Sequence, residues 1–391
     1  MAIDVAAARA DTPAAGRVVH FNNAGASLMP EPVFAAVRDH LALERDIGGY
    51  EAERQAAPAL AAMYDEFAGL LGARPDEIAF VENATRAWDM AFYGLPLGEG
   101  DRVLTHGAAE YVSNYLALMH QARRRGIGID LVPSDGSGQI DVEALERMIG
   151  PRTKAVMLTH VPTHSGLVNP AEAVGRVARA HGLLYMLDAC QSVGQIDLDV
   201  ARIGCDVLSG TGRKFLRGPR GTGFLYVSRA VIGRIEPPFI DMRAADWTAP
   251  DAYAWAETAR RFENWESYVA GRVGLAAAVA YARRLGLPAI EARVGALGAS
   301  LREALAATPG VTVHDPGLRR CGIVTFRVAG EEPQATAARL SAAGINVAVS
   351  PALAARIDFA ARGLDAVVRA SVHYYNTEDE VGRVVDEVGG R

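Results

Sequence analysis

The chain has 391 residues, half of them hydrophobic, and its 40 basic and 46 acidic side chains give a net charge of −6. This length predicts two domains, or one large domain with an appendage. The apolar content excludes a mainly disordered chain. The negative charge argues against a nucleic-acid-binding protein, because such a protein would need a basic face.

The cysteines and the hydropathy pattern indicate the compartment. Cys190, Cys205 and Cys321 are odd in number and lack CxxC spacing, which is typical of a reduced protein without a disulfide framework. The longest charge-free apolar stretch near residues 273–282 is about half of the ~20 residues that span a bilayer. Charged residues interrupt the N-terminal apolar segment, so it does not resemble a signal peptide. We therefore expect a cytoplasmic enzyme that binds no membrane.

Short β-rich runs alternate with amphipathic helical patterns in the first two thirds of the chain. The predicted strands are residues 78–81, 102–105, 155–159, 184–188, 206–209 and 224–227. This alternation predicts βαβ units, and hence an α/β fold with a mainly parallel sheet sandwiched by helices. Ligands of such sheets bind beyond the carboxyl ends of the strands, so polar residues after each run are candidate site residues.

The pattern changes after residue 240. We expect an irregular crossing through residues 247–255 and a long helix at 268–285. Further helices are predicted at 289–307 and 333–343, and strands at 323–328 and 367–372. The prediction is a large domain over residues 18–260, and a smaller α+β C-terminal domain over 261–391 that also takes up residues 1–17.

Several familiar sites are not present in the sequence. There is no GxxxxGK[ST] loop, and no GxGxxG follows the first strand. Cys190-x-Ser192-x-Gly194 lacks the first glycine of a nucleophile elbow. His160 and His164 have the spacing of a helical zinc site, but Pro162 lies between them. We therefore predict no metal site.

Asp188, Gln191 and Lys214 form the most informative segment. Asp188 closes a buried strand, and Lys214 follows another strand in a loop crowded by glycines. A desolvated lysine becomes nucleophilic, and pyridoxal phosphate requires both a lysine for its aldehyde and a carboxylate for its ring nitrogen. A capping aspartate and a surface lysine are the alternative interpretation of the same spacing.

A possible phosphate cradle lies at residues 80–85, where a strand ends and a helix opens. The free N–H groups at that helix start, with the hydroxyl of Thr85, would suit a phosphate group. An ordinary helix cap would have the same sequence.

Together with residues 21–27 (FNNAGAS), 159–166 (THVPTHSG) and 369–377 (RASVHYYNT), these segments resemble the class V aminotransferase family of fold-type I pyridoxal-phosphate enzymes. The resemblance covers nearly the whole chain. It implies a large domain with a sheet of the seven-stranded type. The family includes cysteine desulfurases, selenocysteine lyases, isopenicillin N epimerase-like proteins and hercynylcysteine sulfoxide lyase.

The resemblance also implies roles for individual residues. Lys214 would be the catalytic Schiff-base lysine that moves the substrate α-proton, Asp188 would pair with the ring nitrogen, and Gln191 would bind the phenolic oxygen. The expected phosphate ligands and stacking ring are Thr85, Ala84, Thr211, Arg213 and Tyr111. The expected substrate contacts are Arg369, which would clamp the carboxylate, with Thr163, His164 and Asn23. For His164, a loop histidine without a ligand is the alternative.

The chain departs from the family pattern in ways that bear on the reaction. Arg213 replaces a histidine, Thr163 replaces an asparagine, and residues 346–368 lack the cysteine that desulfurases carry in this loop. We therefore disfavour a persulfide-forming cysteine desulfurase and expect β-elimination, of the C–S lyase type, on an amino acid or its conjugate. A class V aminotransferase is the alternative, followed by a racemase or epimerase, and a regulatory pyridoxal-phosphate-binding protein stays open.

The resemblance finally predicts a homodimer. Residues 261–266 (RFENWE) mix charges and aromatic rings, as the rim of an interface does. A junction within one chain is the alternative for this segment.

Overall fold

A computed structural model describes residues 2–390 of the chain. The helices are α1 (Val5–Ala10), α2 (Glu31–Ile47), α3 (Gly49–Leu71), α4 (Ala84–Phe92), α5 (Val112–Arg125), α6 (Val142–Arg147), α7 (Ala171–Ala180), α8 (Val200–Ile203), α9 (Arg229–Ile232), α10 (Val269–Leu285), α11 (Leu287–Ala306), α12 (Pro333–Ala342), α13 (Arg356–Arg362) and α14 (Glu378–Val388). The strands are β1 (Val19–His20), β2 (Ile78–Val81), β3 (Arg102–Thr105), β4 (Gly128–Leu131), β5 (Thr153–Thr159), β6 (Leu184–Asp188), β7 (Val207–Thr211), β8 (Gly223–Val227), β9 (Ala245–Ala249), β10 (Ala252–Trp255), β11 (Val311–Val313), β12 (Ile323–Val328), β13 (Ile345–Asn346), β14 (Ala348–Pro351) and β15 (Ala366–Ser371).

The centre of the fold is a seven-stranded sheet with the strand order β2-β8-β7-β6-β5-β3-β4. Strands β4, β3, β5, β6 and β7 are parallel, and only β8 runs against its two neighbours. The predicted mainly parallel sheet is therefore confirmed. Because the parallel strands share one direction, their carboxyl ends meet along a single edge.

Both faces of this sheet are buried, since alternate residues of each strand pack into two separate apolar cores. Phe80, Tyr185 and other residues of one face join α3, α7 and α10. Met186 and its counterparts on the other face pack with α4 and α5. The sheet is thus sandwiched by helices, as an open parallel sheet requires.

Two features differ from the sequence-based expectation. The edge strand β4 was not predicted, because Gly128 and Asp130 weaken its β pattern and its side chains are only partly buried. Residues 247–255 do not cross irregularly. They contribute to a β9–β10 hairpin in which Trp247 faces Tyr253 across the strands, on either side of Pro250 and Asp251.

A second, antiparallel sheet has the order β11-β12-β15-β14 and packs against α11 and α12. The N-terminal strand β1 pairs in parallel with β13, and Asn22 pairs with Ser371. The N-terminal segment therefore runs beside the C-terminal third of the chain. The domain boundary at residue 260 stays a prediction.

Within residues 2–390, no single helix is long and apolar enough to cross a membrane. Only α10 and α11 taken together reach that length and composition, and their axes are bent by 81°.

Candidate active site

The carboxyl edge of the central sheet holds a cavity of about 240 Å³. Eight residues predicted from the sequence line it: Ala84, Thr85, Tyr111, Thr163, Asp188, Gln191, Arg213 and Lys214. Five further residues line it that the sequence analysis did not predict as site residues: Asn83, Asn114, Thr159, Val161 and Cys190. The cavity lies at the carboxyl ends of β5 and β6, whose final residues are Thr159 and Asp188.

One end of the cavity is formed by the start of α4. Asn83 caps this helix by accepting a hydrogen bond from the N–H of Arg86 at 2.9 Å. The N–H groups of Ala84 and Thr85 in the first turn have no acceptor within the helix. The positive end of the helix dipole therefore faces this part of the cavity, as in anion-binding sites.

Arg213 supplies a second positive group at the cavity. Its Nη1 donates to Oγ1 of Thr211 at 3.1 Å. Thr211 does not itself line the cavity, so it reaches the site only through Arg213. A guanidinium is an apt partner for a phosphate group.

Lys214 follows β7 and is 8% exposed. Burial lowers the pKa of its ammonium group below the ordinary lysine value, and within residues 2–390 no carboxylate forms an ion pair with it. The loop after Lys214 is fixed by Arg217, which has left-handed backbone geometry with φ of 60°. Arg217 donates to the carbonyl of Leu28 and to the hydroxyl of Tyr374, both at 2.8 Å.

Asp188 is held by two donors. Its Oδ1 accepts the N–H of Cys190 at 2.8 Å, and its Oδ2 accepts from Nδ2 of Asn114 at 2.9 Å. The carboxylate is 4% exposed. Since carboxylate oxygens have about four lone-pair sites between them, Asp188 can still accept a hydrogen bond from a ligand in the cavity.

Gln191 connects the N-terminal segment to the cavity wall. Its Nε2 donates to the carbonyl of Ala24 at 3.1 Å and to Oγ1 of Thr163 at 3.2 Å. Its Oε1 is buried and has no hydrogen-bond partner in the described part of the chain. Such an unsatisfied group is costly, and a ligand in the cavity can supply its partner.

Arg369 reaches the rim of the cavity from β15. Its Nη1 donates to the carbonyl and the hydroxyl of Thr163 at 2.9 and 2.7 Å, and its Nη2 lies 3.4 Å from Oδ1 of Asn22. No carboxylate among residues 2–390 pairs with it, and its Nε is buried without a partner. Burial, and then the charge of Arg213, lower the pKa of this guanidinium to about 10.

Two further predicted substrate contacts, His164 and Asn23, lie outside the cavity lining, as Arg369 does. Nε2 of His164 lies 3.4 Å from Oδ2 of Asp358, and the ring packs edge-on against Phe359 in α13. Asn23 donates to the carbonyl of Ser371 at 2.7 Å and accepts from the hydroxyl of Tyr375 at 2.6 Å. In this geometry neither side chain reaches a molecule in the cavity.

Cys190 is not a core residue, because it lines the cavity. Its backbone N–H donates to Oδ1 of Asp188 at 2.8 Å. Burial, and then the charge of Asp188, raise the pKa of its thiol. Cys205 and Cys321 are instead buried in the apolar core.

The charges around the cavity are unequal. Arg213 and Lys214 line the cavity, and Arg369 contacts Thr163 of its lining, so three basic side chains surround the site, whereas Asp188 is the one carboxylate in the lining of the described cavity. The site is therefore complementary to an anionic molecule that presents one protonated edge to Asp188.

Comparison with known proteins agrees with this geometry. A family model described as aminotransferase class-V matches residues 19–384. A probable cysteine desulfurase from Methanothermobacter thermautotrophicus is 30% identical over 391 residues, which cover 98% of this chain and 97% of that protein. The apo structure of a cysteine desulfurase from Thermococcus onnurineus NA1 superimposes with a TM-score of 0.92 at 28% identity, covering 100% of this chain and 98% of that one.

A cysteine desulfurase from Escherichia coli has the same fold at 22% identity, with a TM-score of 0.91 and coverage of 99% of this chain and 98% of that one. The predicted fold type is thus confirmed.

The expectation of β-elimination, with a persulfide-forming desulfurase disfavoured, is wrong, because these relatives are named cysteine desulfurases. It relied on the lack of a cysteine in residues 346–368. The missing cysteine would only have supplied the thiol that accepts the sulfur atom. The groups that would act on the amino acid are Lys214, Asp188 and Arg369. All three are present at the cavity or its rim, so the absence of this cysteine does not affect them.

Proposed function

The chain belongs to the class V aminotransferase family of pyridoxal-phosphate enzymes, and we propose that it is a desulfurase that removes the sulfur atom of cysteine. The names of its relatives support this reaction. The observation that carries the proposal is the buried guanidinium of Arg369, which bonds Thr163 of the cavity lining and has no carboxylate partner within residues 2–390. An α-carboxylate supplies the partner that this group lacks.

The cavity fits pyridoxal phosphate. The start of α4 and Arg213 suit its phosphate, and Asp188 suits its protonated ring nitrogen. Oε1 of Gln191, which has no hydrogen-bond partner in the described chain, would bond a polar substituent of the ring. When bound, the cofactor withdraws electrons from the α-carbon of an amino acid, so that bonds at that carbon and its neighbour can break. The ring of Tyr111 would cover one face of the cofactor.

Lys214 would both hold the cofactor and move the α-proton. Burial lowers the pKa of its amine, so a larger fraction is neutral near pH 7 and can accept a proton at Nζ. Arg369 would meanwhile fix the carboxylate through its planar fork, with Thr163 keeping that fork in place. Lys214 at the α-proton and Arg369 at the carboxylate would together orient the α-carbon of the substrate.

The sulfur atom requires an acceptor thiol. Cysteine and a thiol give alanine and a persulfide: the C–S bond breaks, an S–S bond forms, and the β-carbon takes up a proton. No oxidant is needed. Cys190 is the one thiol lining the cavity in the described chain, but its raised pKa makes it a poor nucleophile, since the thiolate is the reactive form. We therefore propose that the acceptor thiol comes from outside this chain.

The test is to incubate the pyridoxal-phosphate-loaded enzyme with cysteine and a small dithiol, and to measure alanine and sulfide. Equal amounts of both support the desulfurase. Pyruvate and ammonia in place of alanine would overturn it, as would a requirement for a keto acid. Cys190→Ala is the matched variant, and we expect it to keep turnover within about tenfold of the wild type, or ~1.4 kcal/mol. Its complete inactivation, with cofactor still bound, would show that Cys190 accepts the sulfur.

We also propose that the enzyme is a homodimer. Large apolar side chains are exposed along residues 239–268, including Phe239, Met242 and Trp247, which is 82% exposed. An exposed cluster of this kind marks an interaction surface. The guanidinium of Arg86 lies over the ring of Phe239 at 4.7 Å, and Arg86 is adjacent to Thr85, so this surface adjoins the cavity.

The segment 261–266 contributes less to that surface than its sequence suggests. Arg261, Phe262 and Glu263 are buried within the chain, and Glu263 accepts from the hydroxyl of Tyr64 at 2.7 Å. Only its later residues, such as Trp265, are exposed. Sedimentation of the wild type and of Trp247→Glu tests the proposal: a dimer that the substitution weakens supports it, and an active wild-type monomer contradicts it.

A cytoplasmic location is part of the same proposal. The three cysteines are unpaired, which suits a reducing compartment. Fractionation of cells that produce the protein would test this.

A further inference from the structure

A second buried carboxylate lies behind Asp188, outside the cavity lining. Glu110 is 6% exposed and forms no ion pair with a cation among residues 2–390. It is instead surrounded by four donors: Oγ1 of Thr105 at 2.6 Å, Oγ1 of Thr159 at 2.6 Å, the N–H of Tyr111 at 3.0 Å and Nδ2 of Asn114 at 3.1 Å. A carboxylate in such a position is costly to keep, and no reaction step described above uses it.

Asn114 connects this carboxylate to Asp188. Its amide nitrogen lies 3.1 Å from Oε1 of Glu110 and 2.9 Å from Oδ2 of Asp188. An amide nitrogen carries two N–H groups, so each carboxylate receives one of them. Asn114 is 2% exposed. A rotation of its side chain would break the hydrogen bonds to both carboxylates.

Glu110 also determines where other parts of the cavity lie. It bonds the backbone of Tyr111, whose ring lines the cavity, and the hydroxyl of Thr159 at the end of β5. Burial raises the pKa of Glu110 overall, and the hydrogen bonds from Thr105, Thr159 and Asn114 oppose that rise.

We propose that Glu110 and Asn114 are positioning residues that hold Asp188 in the orientation in which it meets the ring nitrogen of pyridoxal phosphate. The proposal rests on the role proposed for Asp188 above. A positioning role differs from a merely structural role in its effect on cofactor binding. Loss of Glu110 or Asn114 must weaken specifically the contact between Asp188 and the ring nitrogen, and not the binding of the cofactor in general.

The test compares two ligands on the full chain stripped of cofactor. One is pyridoxal phosphate, and the other is its carbocyclic analogue, in which C–H replaces the ring nitrogen. Dissociation constants are measured by absorbance for the wild type, Glu110→Gln and Asn114→Ala. We expect the wild type to prefer pyridoxal phosphate and both variants to lose about tenfold of that preference. Asp188→Ala gives the limit in which the contact is absent.

The matched control is Asn376→Ala. Asn376 is also buried and also donates to a carboxylate, Oε2 of Glu380 at 2.9 Å. It should lower the melting temperature but leave the ligand preference unchanged. Equal weakening of both ligands in Asn114→Ala would overturn the proposal. A wild type without any preference would instead refute the role of Asp188. If Glu110→Gln fails to fold, Asn114→Ala still decides between these outcomes.

Discussion

Replacing Arg369 by methionine should stabilise the cofactor-free protein. In the cofactor-loaded enzyme, the same substitution should strongly lower kcat/KM for cysteine. The guanidinium is 8% exposed, and burial lowers its pKa from the ordinary arginine value to about 10. A tenfold change in proton affinity corresponds to ~1.4 kcal/mol, so the buried charge costs the fold ~3 kcal/mol. Because the pKa is lowered, this cost is fully present near neutral pH and is relieved only as the pH rises through about 10.

Methionine fills similar space without a charge, but it removes the two short hydrogen bonds to Thr163. Such bonds contribute ~1 kcal/mol each, which leaves a net gain of ~1 kcal/mol in the free energy of unfolding. Turnover should change in the opposite direction. Loss of two charge-assisted bonds to a carboxylate removes ~4 kcal/mol, or about a thousandfold in kcat/KM for cysteine.

The assay has two parts. Denaturant unfolding of the cofactor-free chain gives the stability change, and kcat/KM for cysteine and for cysteamine, which lacks the carboxylate, gives the recognition change. Arg302→Met is the control. Arg302 is equally buried but pairs with Asp315 at 2.9 Å, so its removal leaves an unpaired carboxylate and should destabilise the fold by ~3–5 kcal/mol.

Two results would refute the reasoning. If Arg369→Met unfolds at a clearly lower denaturant concentration than the wild type, then the bonds to Thr163 are structural and the buried charge is not a cost. If the variant loses cysteine and cysteamine turnover equally, then Arg369 does not recognise the carboxylate.

Three further outcomes are expected. After borohydride reduction, intact-mass measurement should find the cofactor attached to the wild type but not to Lys214→Ala; an attached cofactor in the variant would place the covalent bond elsewhere. Asp188→Asn should raise the barrier of turnover by ~3–4 kcal/mol while the cofactor stays bound, and unchanged turnover would contradict its role. Burial alone would raise the pKa of Asp358, but His164 and Arg362 lower it overall, so its stabilising effect is present above its ordinary pKa of 3.8 and is lost as the pH falls below that value. Relative to the intrinsic exchange rate at each pH, the amides of α13 should therefore lose protection below about pH 4 in the wild type, and already at neutral pH in Asp358→Asn. Equal protection of the two proteins at neutral pH would contradict this.

The sequence predicted those parts of the fold and the site that depend on local pattern. Asp188 and Lys214 follow buried apolar strands, and strand ends of a parallel sheet meet at one edge whatever the rest of the chain does. The strand β4 was missed because an edge strand needs no continuous apolar run. The β9–β10 hairpin was missed because its side chains are largely exposed, so that no hydrophobic alternation against a core marks it.

The remaining site residues depend on tertiary contacts that no local pattern records. Asn114 lies four residues after Glu110, a spacing that places two polar side chains on one side of a helix start, yet only the fold brings them to Asp188. Cys190 follows a buried strand like a core residue, yet it lines the cavity. The function was mispredicted because the choice of sulfur acceptor was inferred from a single loop.

The pairing of β1 with β13 has a consequence for the synthesis of the protein. Val19 lies opposite Ile345, and Asn22 lies opposite Ser371, so residues that leave the ribosome first must wait for residues made more than 320 positions later. Arg369, which contacts Thr163 of the cavity lining, lies in β15, so the site is complete only after this last strand has emerged. The order of translation therefore separates folding of the central sheet from completion of the site, and a nascent chain cannot act on an amino acid before its synthesis is almost finished.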